Sequence, residues 1–401
     1  MRISKIIILI SIFSSSLADV LFAPILLGIM STHGYSSWLI ASTTALEFIP
    51  RLFGPLYSKL LTSKRMLKNI KGSMLARFIS YLIIATLLML NNQVSIVGIL
   101  IVLLLNLFSD FNGSLFYLSQ TVVNRSFFSQ SEIKKLTPLF FIFSNMGIFV
   151  AYFLAPTLST ILVPWKIAVI NAFLFLLPLI EISIIKIDKI NLDKNNAVGS
   201  EVTEGKKRWL ILTNKHIIAV LIVMITLNIF IGNPNFIVTA YAKEFSLNPI
   251  AEISRFSSIF LIGTLISAGA MSFMNKTMGI RSVVALSFPM LAILYVFFGI
   301  PDQSLKLIIF LFTGIVIGIG QPILDNEIYS HTNENTVGIV FSITRLFNSL
   351  ATIISPFLIQ TVLFFAGYQK GVLTISVYYL VIALVLVVYL TFLREKKDEK
   401  N

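Results

Sequence analysis

The residues of this chain best placed to do chemistry are ionisable ones set inside long apolar runs. Asp19 follows the run from Ile6 to Phe13, with Ser15 and Ser11 one and two helical turns before it on the same face. Glu47 and Arg51 stand four residues apart, and Arg77 lies in a third apolar stretch. Asp110 belongs to a polar stripe of Asn106, Asp110, Gly113, Tyr117 and Gln120. Further along, Gln321 and Asp325 are one turn apart, and Arg345 shares a stripe with Ser342, Ser349 and Thr352. A charge in hydrocarbon is costly, so it faces a cavity or pairs with its opposite, and such residues mark proton or substrate pathways. A carboxylate in that setting can take up a proton on one side of a membrane and release it on the other. Asp19 and Glu47 lie deepest and are the first candidates for proton coupling, with Asp110 third and Arg51 and Arg77 as charge partners. For two of these acids a purely structural role stays open: Glu47 neutralising Arg51, and Asp110 neutralising Arg77. Asp325 with Arg345 reads as a clasp between helices.

Neutral polar groups complete the set. Asn228, Asn233 and Asn235 fall in one apolar stretch, and Asn233-Pro234-Asn235 is expected to break the helix there. The freed amides either face a substrate or satisfy the backbone carbonyls that the kink exposes. Together with Asn106, Tyr117 and Gln321 they form the expected lining of a substrate cavity. With 34 phenylalanines in 401 residues, such a cavity suits hydrophobic or cationic ligands better than sugars, which demand many hydrogen bonds. Other chemistries find little support. Cysteine is absent, and His33, His216 and His331 show no metal-ligand spacing, so no metal site and no cofactor are expected. The glycines and lysines of 199–207 lack the spacing and the Ser/Thr of a phosphate-binding loop, which argues against direct ATP drive.

Positioning these residues requires membrane helices. The chain is 56% hydrophobic and 12% charged, against roughly a quarter charged in a soluble domain, which excludes a water-soluble enzyme. Apolar stretches at 6–30, 36–58, 72–90, 94–122, 137–162, 166–187, 216–240, 253–275, 282–300, 306–329, 337–365 and 371–393 give twelve candidate spans. Residues 1–30 resemble a cleavable signal peptide in part, but apolar sequence continues past Ala18 to Met30, so this stretch reads as the first helix. The expected division is a six-helix bundle over 1–187, a linker over 188–215, a second bundle over 216–393 and a tail over 394–401. Placing both termini and the linker in the cytoplasm puts 23 of the 31 Lys and Arg residues inside, 5 outside and 3 within spans. Lys/Arg-rich segments resist translocation, so that bias predicts cytoplasmic termini and an even number of crossings. It also accounts for the net charge of +13 without nucleic acid, because the basic residues are spread over many short loops.

Landmarks recur between the halves: Ala155-Pro156 with Ser355-Pro356, Asp110 with Asp325, and Gly54 with Gly269. Two facing six-helix bundles around a central cavity fit this pattern. Over nearly its whole length the chain resembles the major facilitator superfamily. The family's loop signature after the second helix is met by Gly54-Pro55-Leu56-Tyr57-Ser58-Lys59 and then Ser63-Lys64-Arg65, with Ser58 where the family usually has an aspartate. Gly147, Ala151, Ala155 and Pro156 keep the four-residue spacing of the exporters' fifth-helix motif. The stretch 116–156 and Thr332-Asn333-Glu334-Asn335-Thr336-Val337-Gly338 resemble the macrolide-efflux branch. An arginine common in the fourth helix of proton antiporters is missing, with Ser109 in that region. The resemblance implies a twelve-helix secondary transporter of the bacterial cytoplasmic membrane. It would act as a monomer by alternating access and exchange protons for hydrophobic or cationic small molecules, with the proton gradient as energy source. An importer or dedicated metabolite or peptide exporter of the same fold is the first alternative, and a membrane-embedded enzyme or receptor a remote one.

Overall fold

The computed structural model describes residues 2–53, 66–90, 95–127, 130–184, 214–231, 234–273, 279–330 and 334–398. The loop signature at 54–65, almost all of the linker, Asn233 and the last three residues of the tail lie outside them. Among the described residues all regular structure is helical: α1 Arg2–Leu21, α2 Ala23–Thr32, α3 Ser37–Leu46, α4 Ile49–Leu52, α5 Met66–Leu90, α6 Ile96–Phe127, α7 Gln130–Ile161, α8 Pro164–Ile184, α9 Lys215–Ile231, α10 Pro234–Glu244, α11 Pro249–Phe273, α12 Ile280–Phe298, α13 Gln303–Ser330, α14 Glu334–Ala366 and α15 Tyr368–Asp398.

Eleven segments among the described residues are long and apolar enough to cross a bilayer. They account for every expected span but the second. That stretch appears as α3, which Ser36 caps by accepting from the Leu39 N–H at 3.3 Å, and the short α4. A turn at Glu47 and Phe48 separates the two, so Glu47 and Arg51 do not share one regular helix. Two of the crossings are each built from a pair of helices. The first breaks at Phe22, just before Pro24, and the other comprises α9, described as far as Ile231, and α10, described from Pro234. Proline has no N–H, so the Phe230 carbonyl loses its partner four residues on. The Tyr295 hydroxyl donates to that carbonyl instead, and Tyr379 donates to the Leu227 carbonyl at 3.1 Å. Tyrosines from neighbouring helices thus donate to both of these carbonyls.

The chain forms two compact units. The first comprises Met1–Gly34, Ile49–Val202 and Pro249–Ser254. In it α1 packs on α7 and α8, and α5 packs on α6 and α8. Gly147 sets the distance between α1 and α7, since a Cβ there would overlap the Phe13 carbonyl. Ala151 and Ala155 continue the small stripe and are fully buried. The second unit comprises Tyr35–Phe48, Thr203–Asn248 and Arg255–Asn401. In it α12 packs on α13 and α15, while α14 packs on α3 and α9. Close approach of α11 and α13 depends on Gly263, Gly314 and Gly318, whose added Cβ atoms would meet Leu311, Phe260 and Ser267. Small residues four apart let membrane helices touch backbone to backbone. Lys306 is fully buried in this unit, capping carbonyls of Ile300 and Asp302 and lying 4.3 Å over the Tyr241 ring. Leu104, Phe153, Phe364 and Leu384 remain exposed, as a lipid-facing surface requires.

Candidate functional site

Arg77 is the centre of the polar arrangement in the first unit. It sits in the fourth turn of α5, and its side chain is only 2% exposed. A buried guanidinium needs its charge and its five donors answered. Three neighbouring helices contribute. From α1, Asp19 forms an ion pair with Nη2. From α6, Ser109 accepts from Nε at 3.1 Å, and Gly113 makes room, since a Cβ there would lie 2.8 Å from Nη1. From α8, the Phe175 ring lies under the guanidinium at 4.0 Å, a cation–π contact. Nη1 is left with no hydrogen-bond partner among the described residues. Asp19 is different from its partner: its side chain is 44% exposed, so the acid meets the surroundings while the base stays dry.

A second set of contacts lies one turn along α5. Tyr81 donates to Asn106 Oδ1 at 2.7 Å, and Asn106 donates in turn to Asp110 Oδ2 at 3.2 Å. The Tyr81 ring packs on Phe175 and edge-on against Phe22, at the break between α1 and α2. Arg77, Tyr81, Asn106 and Asp110 are thus joined through shared neighbours. The structure places Asp19, rather than an acid of α6, on the Nη2 of Arg77, while Asp110 is held by Asn106. Asp19 and Arg77 come from different helices, so no spacing within one helix marks them as a pair. Glu47 is half-buried and Arg51 exposed, both engaged in other interactions, as is the exposed Tyr117.

In the second unit the expected groups are more dispersed. Gln321 donates to Asp325 at 3.2 Å along α13, and Arg345 of α14 acts electrostatically on Asp325. Asn228 spends its amide on the Met224 carbonyl of its own helix. Asn235 is buried and accepts from Ser257 at 3.4 Å. Among the described residues no cluster of His, Cys, Asp and Glu could hold a metal ion.

Sequence reasoning misses Tyr81, Ser109 and Phe175, because nothing local marks an aromatic or a serine as the wall of an arginine site. It also misses Glu181 of α8, although an acid at the end of an apolar run is a readable signal. The Gly314 to Gly318 spacing was likewise present to be read.

Comparisons with known proteins agree with this architecture. No curated protein matches the chain. Among solved structures, the nucleoside transporter NupG superposes with a TM-score of 0.71 at 17% identity, over 97% of this chain and 99% of that one. The human organic anion transporter MFSD10 (TETRAN) gives a TM-score of 0.60 at 14% identity, over 96% and 99%. Identities this low speak for the fold alone. A family model described as Major Facilitator Superfamily matches residues 8–356, most of the chain. With its many apolar crossings and this fold, the protein is a multi-pass membrane transporter of small molecules, not an enzyme, and belongs to the major facilitator superfamily.

Proposed function

We propose that the protein exports hydrophobic or cationic small molecules in exchange for protons, by alternating access, with Asp19 as the carboxylate that carries the coupling proton. The observation behind this reading is the unequal exposure of the Asp19–Arg77 pair. Ionised Asp19 balances the buried guanidinium; a proton or a cationic substrate on Asp19 competes for the same carboxylate. Each competitor therefore changes how firmly α1 is held to α5, which ties occupancy to helix position. Glu47 and Asp110 are the further candidates for proton exchange, and Asn106, Tyr117, Gln321 and the asparagines of α9 and α10 for substrate contact. Export, and the drug-antiporter branch, are supported by the small-residue stripe from Gly147 to Pro156. No bound cofactor is invoked, only the proton gradient. The working unit is a monomer in a bacterial cytoplasmic membrane with both termini inside.

A second reading follows from the likeness to a nucleoside transporter across nearly the whole chain: transport of a polar nucleoside-like compound, with amides of Asn106 and Gln321 as donors. Purified protein in liposomes separates the two. Tetraphenylphosphonium movement driven by an imposed pH gradient, and lost in Asp19→Asn, is the expected result. Uridine movement without tetraphenylphosphonium movement favours the second reading, and transport of either compound that ignores the pH gradient rejects proton coupling.

A further inference from the structure

Glu181 stands at the end of the apolar span 164–181 of α8, and the coupling pair makes no use of it. Its Oε2 accepts a hydrogen bond from Ser14 Oγ of α1 at 3.1 Å. Ser14 lies five residues before Asp19, about 7.5 Å along a helix axis. A buried hydroxyl lies one turn before Arg77 on α5: Ser73 is 2% exposed. That hydroxyl and Arg77 Nη1 have no hydrogen-bond partner among the described residues. Both α1 and α5 pack against α8, and the Asp19–Arg77 ion pair joins α1 to α5. Buried polar groups without protein partners are where proteins hold ordered water.

We infer that Glu181 is a second proton-carrying carboxylate, which exchanges its proton with Asp19 through the Ser14 and Ser73 hydroxyls and water held between them. The step is a balanced transfer: one O–H bond breaks at Asp19, one forms at Glu181, and each hydroxyl between gives up a proton as it accepts one. Negative charge moves from Glu181 to Asp19, and no other group changes its charge. By the bias of basic residues, Glu181 lies on the cytoplasmic side of Asp19, which makes it the station for release to the cytoplasm. Charged groups on the helices packed against α8 are Asp19 on α1 and Lys68, Lys71 and Arg77 on α5; the side chains of Arg2, Lys5, Glu132, Lys134 and Lys135 lie outside the described set.

The inference rests on Asp19 as proton carrier, and infrared difference spectra of the full-length protein across a pH titration test the two separately. The wild type is expected to show a titrating carboxyl band for each acid. Glu181→Gln should remove one band and slow deuterium uptake by the other. Ser14→Ala, which keeps both acids, should shift the Glu181 band without removing it and slow the same uptake. Unchanged bands and an unchanged Asp19 exchange rate in Glu181→Gln, or no effect of Ser14→Ala on either band or rate, overturn the inference. If Asp19→Asn removes no titrating band while Glu181 keeps its own, the reading of Asp19 fails and the relay with it, but the titration of Glu181 stands as a separate result.

Discussion

Exposure of 44% on the acid and 2% on the base makes the Asp19–Arg77 pair asymmetric, and the asymmetry has a measurable consequence. Loss of Arg77 leaves a carboxylate that water can reach. Loss of Asp19 leaves a guanidinium that water cannot reach, with Phe175 and Ser109 as its remaining company. Uncompensated charge costs more where it is buried. Asp19→Asn is therefore expected to lower the unfolding temperature more than Arg77→Met does. The double variant should recover part of that loss, with a coupling of about 0.5–3 kcal/mol as found for residues in direct contact. Thermal melts of the four forms in one detergent check this; strictly additive losses would show that the pair does not balance its own charge. Gly113→Ala tests the same box from the side, since its Cβ meets Arg77 atoms at 2.8 and 2.9 Å.

At the scale of helices, two glycines that look alike in sequence have opposite surroundings. A Cβ at Gly147 would overlap the Phe13 carbonyl and lie 3.1 Å from the Leu17 nitrogen, both backbone atoms that cannot swing away. At Gly72 on α5 a Cβ meets nothing within 4 Å. Gly147→Ala should cost about 1–3 kcal/mol, as overpacking of a close contact does. Gly72→Ala should be neutral or stabilise by up to about 1 kcal/mol through helix propensity. Equal effects in a thermal melt would remove Gly147 as the spacer between α1 and α7. The same contrast explains what the sequence reveals. Hydropathy is a local property, so the crossings are legible from it, and Pro234 announces a break because its missing N–H is a property of one residue. The break at Phe22 is less visible, since a proline near a helix start is also ordinary. Pairing between Arg77 and Asp19 depends on how α1 meets α5, which no single helix encodes. For the same reason Lys306 reads as a loop charge until its burial against Tyr241 is seen.

For the whole molecule, the distribution of basic residues predicts an orientation, and the absence of cysteine makes it directly testable, because any introduced thiol is the only one. Ser200 belongs to the central linker, and Ser246 is exposed in the connection between α10 and α11. Between the two lies a single crossing, Lys215–Glu244. Ser200→Cys and Ser246→Cys must therefore react with an impermeant maleimide from opposite faces, whatever the orientation. The bias of 23 basic residues to one side against 5 to the other adds the direction. In intact cells Ser246→Cys should label and Ser200→Cys should label only after the membrane is opened. The reverse pattern would keep the fold but invert the molecule, moving Glu181 to the outer side of Asp19 and turning its proposed release station into an uptake station. Labelling of both positions from one face would instead mean that the helix pair α9 and α10 does not cross.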